Sequence, residues 1–206
     1  MRALRNLATL TLLVGATADA DVAFEDYDYE RWSQAVTGCD ILASHGRDPG
    51  HVSPGVSQSG MDKPAAIAAC QVAVANDPDN PRLNYLLGRA YGYSGRSEDA
   101  MPYRNKALAA DYPQSTFTFG YLHLLGLGVP KDPCLTLEYW QRSAKYKRLA
   151  ALVSLPRHYL RGDFDSCEVE LSASTLTAYL TEARAQSSDY YVGLLIEDLE
   201  ADLSAR

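Results

Sequence analysis

A chain of 206 residues with a formal charge of −7 is long enough for one sizeable core and is distinctly acidic. That charge argues against nucleic acid as a partner, because phosphate backbones are repelled by it. Four cysteines, none in a Cys-x-x-Cys pair, argue against a zinc ribbon and a thioredoxin-like redox site.

Residues 1–20 read as a secretory signal peptide. Arg2 and Arg5 make a positive start, Leu7 to Ala16 form a short apolar run, and Ala18-Asp19-Ala20 is a small-x-small cleavage site. The run is well short of the roughly 20 residues that span a bilayer. The expectation is an exported chain, periplasmic or secreted, beginning at Asp21. Removing two Arg and one Asp leaves it near −8. Four cysteines in an exported chain point to two disulfides.

Tyr29–Ser44 reads as a helix with Trp32, Ala35, Val36, Cys39 and Leu42 on one face. Residues 45–60, rich in Gly, Pro and Ser, then read as a long loop inserted between the helices of the first hairpin. Loops of that length in a compact domain are usually functional or disordered.

The middle of the chain repeats itself. Ala66 and Ala100, Ala73 and Ala107, and Asp77 and Asp111 are each 34 residues apart. Period 34 marks a helix–turn–helix unit that must stack on its neighbours to bury its apolar face. Tyr85, Gly88, Tyr91, Gly95, Ala100, Tyr103, Ala107 and Asp111 carry the pattern of one unit, which closely resembles a tetratricopeptide repeat. Small Gly88 and Ala100 let the two helices of the hairpin touch.

The next unit has Thr136 and Ser143 where the previous one has Ala100 and Ala107, both 36 residues on. Gly120 follows Gly88 by only 32, so four extra residues fall in the turn. That turn, GLGVPKDPC, followed by LEYWQRSA, resembles the Sel1-like repeat, the longer relative of the tetratricopeptide repeat, at Gly120, Gly126, Gly128, Val129, Asp132, Tyr139, Trp140 and Ala144. Phe119 and Thr136 depart from the usual Leu and Ala. A phosphate loop is excluded, because it needs a preceding strand and a Gly-Lys-Ser/Thr. Gly126 and Gly128 instead end a helix and reverse the chain, with Pro133 opening the next helix.

A third, degenerate unit starts at Ala150, with Pro156 where a small glycine is expected and a kink or break is the consequence. Its second helix is expected near Asp165, capped through Glu168, with Leu171, Leu176, Tyr179, Leu180 and Ala183 as its apolar face. Residues 188–203 read as a capping helix with Val192, Leu195, Ile196, Leu199 and Leu203 on one side. No strand pattern appears. The expected fold is therefore all-α: one repeat domain over residues 21–206, a right-handed α-solenoid of helix-turn-helix repeats with a C-terminal capping helix.

Hairpin placement predicts the disulfides. Cys39 and Cys70 belong to the two helices of the first hairpin, giving Cys39–Cys70 across the inserted loop. Cys134 and Cys167 are 33 residues apart at the expected starts of successive second helices, giving Cys134–Cys167.

Chemistry is sparse. His45, His51, His123 and His158 form no His-Glu-x-x-His motif, no Gly-x-Ser-x-Gly elbow occurs, and paired cysteines offer no nucleophile. The expectation is a protein without catalytic residues, metal or cofactor. The repeat resemblance implies a concave groove, lined by the first helix of each hairpin, that takes an extended peptide. Its residues would be Arg82, Tyr85, Arg89 and Tyr93, then Phe117 and Tyr121, then Arg157 and Arg161. Arginines beside aromatics suit an acidic peptide or a terminal carboxylate. The function implied is an exported scaffold for protein–protein interaction, with a protein or peptide partner of unknown identity and no membrane span. A runner-up follows from the same resemblance: a cysteine-containing Sel1-like repeat enzyme or binder of β-lactam or cell-wall fragments, since some such exported proteins are linked to β-lactam binding or hydrolysis, but their cysteines recur as close pairs within each repeat, unlike these.

Overall fold

Asparagine or aspartate followed by proline starts two of the central helices. Asn80 accepts from the Arg82 and Leu83 amides ahead of Pro81, and Asp132 from the Cys134 and Leu135 amides ahead of Pro133. Such pairs satisfy orphan helix donors and preset the first turn. The computed structural model describes residues 22–205; the expected signal segment and its cleavage site lie outside the described residues.

The described residues hold nine α-helices and no strand. They are α1 (Gly38–Ala43), α2 (Lys63–Asn76), α3 (Pro81–Tyr93), α4 (Ser97–Ala109), α5 (Pro113–Leu125), α6 (Pro133–Lys145), α7 (Leu149–Leu160), α8 (Ala173–Gln186) and α9 (Tyr190–Ser204). Helices pair as α1/α2, α3/α4, α5/α6 and α7/α8, and α9 closes the stack against α7 and α8. The architecture is an α-solenoid. In the α5–α6 turn, Gly126 (φ 70°) and Gly128 (φ 73°) adopt left-handed backbone, as the reversal requires.

The core divides in two. Leu83, Leu86, Leu87, Ala90 and Tyr91 build the first cluster with α1, α2 and α4. Trp140, Leu152, Leu155, Leu176, Leu180 and Ile196 build the second. Cys39 is bonded to Cys70 and Cys134 to Cys167.

Three sequence expectations change. Tyr29–Ser44 is not one helix: only a 3-10 turn at Tyr29–Arg31 and α1 are helical. The segment before α1 is held extended across the helix ends instead. Phe24 packs on Tyr179, the Glu25 amide donates to the Lys145 carbonyl at 2.9 Å, and the Tyr27 hydroxyl donates to the Ala110 carbonyl at 2.9 Å. Tyr27 also stacks on Trp32 and meets Tyr112 and Tyr146 edge-on. Those contacts reward an extended chain, and Thr37 then starts α1 with a capping box to Asp40.

Second, α7 runs through Pro156 to Leu160. Buried Leu152, Leu155 and Leu160 around it offset the lost backbone donor. Third, α8 starts at Ala173, capped by Ser172, and not near Asp165. Gly162 (φ 80°) turns the chain after α7, and the Cys134–Cys167 bond anchors the following segment to the first turn of α6.

Candidate functional site

Helices α3, α5 and α7, the first of their hairpins, line one groove of about 760 Å³. Six residues expected there do meet in it: Tyr85, Arg89, Tyr93, Phe117, Tyr121 and Arg157. Arg82 and Arg161 do not line it. Arg161 is exposed at the C-cap of α7. Arg82 points the other way, into α1: it is buried, ion-paired with Asp40, and donates to the Ser33 carbonyl at 3.1 Å.

Arg89 is less free than an exposed groove arginine would be. Its Nη1 donates to the Ala43 carbonyl (2.7 Å) and the Ser44 carbonyl (3.1 Å), and its Nη2 to the Val56 carbonyl (2.6 Å). The guanidinium thus staples residues 43–56 to α3, and its carbon lies 4.8 Å from the Tyr93 ring centre. The sequence offered no way to see this, because the acceptors are backbone carbonyls.

Residues 45–60 are not a loose excursion. Val56 donates its amide to the Ser44 carbonyl, and Ser53 donates its hydroxyl to the Asp40 carbonyl at 2.6 Å. Buried Asp48 accepts from the Tyr112 hydroxyl at 2.8 Å and the Gly50 amide at 3.0 Å. Burial raises the Asp48 carboxyl to about 6, and burial with the neighbouring Asp48 pushes the Tyr112 hydroxyl well up. The segment also delivers His45 to the groove. Burial, then Arg89 and Arg148, lower His45 to about 4, and its Nδ1 has no partner.

Sequence reasoning missed other groove residues: Arg104, Gln114, Trp140 and His158. Arg148, behind the wall, donates Nε–H to Gln114 Oε1 at 2.7 Å and lies over the Phe117 ring. Trp140 stacks on Phe117 with centroids 5.6 Å apart and donates its indole N–H to the Phe117 carbonyl at 3.1 Å. The groove is therefore aromatic and cationic. Three arginines and two histidines line it, and no aspartate or glutamate among the described residues does, although the chain carries 26 acidic residues against 19 Lys and Arg. Elsewhere among the described residues, no cluster of His, Cys, Asp and Glu is placed to hold a metal ion.

No family model and no curated protein matches the sequence. A solved structure does: the Sel1 repeat protein from Oxalobacter formigenes superposes with a TM-score of 0.52 at 19% identity, covering 62% of this chain and 96% of that one. The fold is that of a Sel1 helical repeat. The α5–α6 hairpin, with its lengthened Gly126–Gly128 turn, is the unit whose sequence carried that resemblance.

Proposed function

We propose that this protein is an exported scaffold that binds an extended peptide of a protein partner along the α3–α5–α7 groove. The observation that carries the reading is the groove itself: concave, built on the first helices of three successive hairpins, and walled by Tyr85, Tyr93, Phe117 and Tyr121. The Sel1 fold supports an interaction role, since stacked repeats create extended concave surfaces. Two disulfides fit an oxidising compartment, and no helix among the described residues is long and apolar enough to cross a membrane. Nothing favours the β-lactam alternative: among the described residues no cysteine is free, and the bonded cysteines stand 31 and 33 residues apart rather than as close pairs.

A photo-crosslinking amino acid at Tyr121, on the groove wall and 46% exposed, tests the reading against one at Tyr191, 79% exposed on α9. In the exporting cell, discrete adducts are expected from position 121 and none from 191. Adducts from both positions alike, or from neither, overturn it.

A further inference from the structure

The two central hairpins share a register. Ala100, Arg104 and Ala107 of α4 precede Thr136, Trp140 and Ser143 of α6 by 36 residues each. At the middle position both side chains lie over the preceding helix. A Cβ on Gly120 would strike the Trp140 ring, and one on Gly88 would come 2.8 Å from Arg104 Cγ. A Cβ on Gly92 would strike the Arg104 guanidinium. The same interhelical slot thus holds an indole in one repeat and the arginine stem in the other, with the guanidinium one turn further on, under Gly92.

The indole is satisfied: it is stacked and hydrogen-bonded. The guanidinium is not. Arg104 is 8% exposed, yet its side chain makes no ion pair and no hydrogen bond among the described residues. Its guanidinium nitrogens stay open to the groove, but so little exposure is costly for a charge with no protein partner, and a hydrophobic residue of similar volume would fill the slot more cheaply. Burial lowers its pKa, and only the nearby Tyr85 and Tyr93 hydroxyls act the other way; no carboxylate does. The other two groove arginines differ: Arg89 is occupied by three carbonyls, and Arg157 is exposed at the rim.

We infer that Arg104 is the anion anchor of the groove, an unpaired guanidinium on a mostly buried stem, open to the groove, that takes a carboxylate of an acidic peptide lying across Tyr93, Phe117 and Tyr121. This rests on the peptide-groove reading and names its ligand chemistry. Guanidinium and carboxylate match as a bidentate pair, and a partly dehydrated site strengthens the pair. The absence of acid from the lining leaves the carboxylate no competitor. Arg157, at the rim, adds same-sign field around it.

The test uses fluorescein-labelled hexapeptides of alternating Glu and Leu, the same with Gln for Glu, and both with free or amidated C-termini. A single-stranded oligonucleotide is included. Binding is read by anisotropy to the full-length protein, to Arg104→Met, to Arg104→Lys, and to Arg184→Met on α9 as a remote control. The wild type should prefer Glu peptides over Gln peptides by tenfold or more. Arg104→Met should lose that preference, Arg104→Lys should keep part of it, and Arg184→Met should keep it all. The free and amidated arms tell a terminal carboxylate from a side-chain one; either source fits the anchor. Arg104→Met should melt no lower than the wild type, which separates lost binding from lost folding. An Arg104→Met protein that still prefers Glu peptides, a wild type that shows no preference, or tighter Arg104-dependent binding of the oligonucleotide overturns the assignment. Adducts from position 121 without any Glu preference would leave the groove reading standing and remove the anchor alone.

Discussion

The two ends of the solenoid are held by different chemistry. Up to Arg148 the interior contains charge and polar groups: Asp40 with Arg82, Asp48 with Tyr112, Arg89 on three carbonyls, and unpaired Arg104. Beyond it, the buried side chains of α7, α8 and α9 are aliphatic, aromatic or proline. An apolar core tolerates the loss of one methyl group in proportion to the gap left. A buried charge network fails at whichever partner is removed, because the other charge stays behind without water. The N-terminal half should therefore be the part sensitive to single polar changes and to pH.

The largest expected effect is at the buried pair. Asp40→Ala removes the counter-charge of Arg82 and the side chain that accepts from the Thr37 amide at 2.8 Å. It should cost about 3–5 kcal/mol in urea unfolding, the usual price of stranding one member of a buried pair. Asp40→Leu with Arg82→Met should recover all but about 1 kcal/mol, the worth of the lost cap. If Asp40→Ala is tolerated within about 1 kcal/mol, the contrast between the two halves fails at its strongest point.

A smaller effect concerns pH, and it has two opposed parts. The folded Asp48 carboxyl titrates near 6, above the ordinary carboxylate value, so the folded state keeps a proton that the unfolded chain releases. Its contribution is fully present below about pH 4 and is lost as pH rises through about 6, on the order of 3 kcal/mol for a shift of this size. His45 runs the other way. Its folded value is about 4, so the unfolded chain takes up a proton first and stability is lost as pH falls from about 6.5 toward 4. The wild type should look nearly flat over that window. Asp48→Asn should uncover a loss on acidification, and His45→Gln a gain. Melting temperatures at pH 4.5 and 7 of the two variants check this, and slopes of the same sign would break it.

How much of this could be read beforehand follows the same divide. The α3/α4 and α5/α6 hairpins were legible because small residues recur at fixed spacing: Gly88 over Ala100, Gly120 over Thr136. The capping helix was legible from Val192, Leu195, Ile196 and Leu199, because burial on one helix face leaves a period. The strap before α1 was not. Trp32 and Val36 fall at helical spacing, but Tyr27 and its aromatic neighbours from other hairpins decide the backbone. The groove wall was largely legible from hairpin position. Which arginine would lack a partner was not, since Arg82 finds its carboxylate 42 residues away and Arg89 finds carbonyls in the inserted segment. Arg104 carried one signal, an Arg standing where the next repeat has Trp140.

The smallest effect sharpens the contrast between those two slots. Each is roofed by a glycine of the facing helix, so a methyl group probes what fills it. In Gly120→Ala the new Cβ meets the Trp140 indole, which is held between the Phe117 ring and its carbonyl, with the Thr136 carbonyl only 3.2 Å away on the other side. Neither can retreat. Overpacking should outweigh the roughly 1 kcal/mol that alanine gains over glycine within a helix, leaving a net loss of about 1–2 kcal/mol. In Gly92→Ala the new Cβ meets only the far end of Arg104, its Nη2, Cζ and Nη1. That flexible tip has no hydrogen bond to break and can swing into the groove, so the helix gain should survive and stability should hold or rise by up to about 1 kcal/mol. Peptide binding should respond in the opposite order: Gly92→Ala displaces the guanidinium and weakens capture of the Glu peptide, whereas any loss in Gly120→Ala should track its lower stability. Urea midpoints set beside anisotropy titrations of the two proteins read both quantities at once. Equal destabilisation by the two methyl groups would mean that Arg104 is as firmly held as Trp140, and a firmly held guanidinium is not one waiting for a carboxylate.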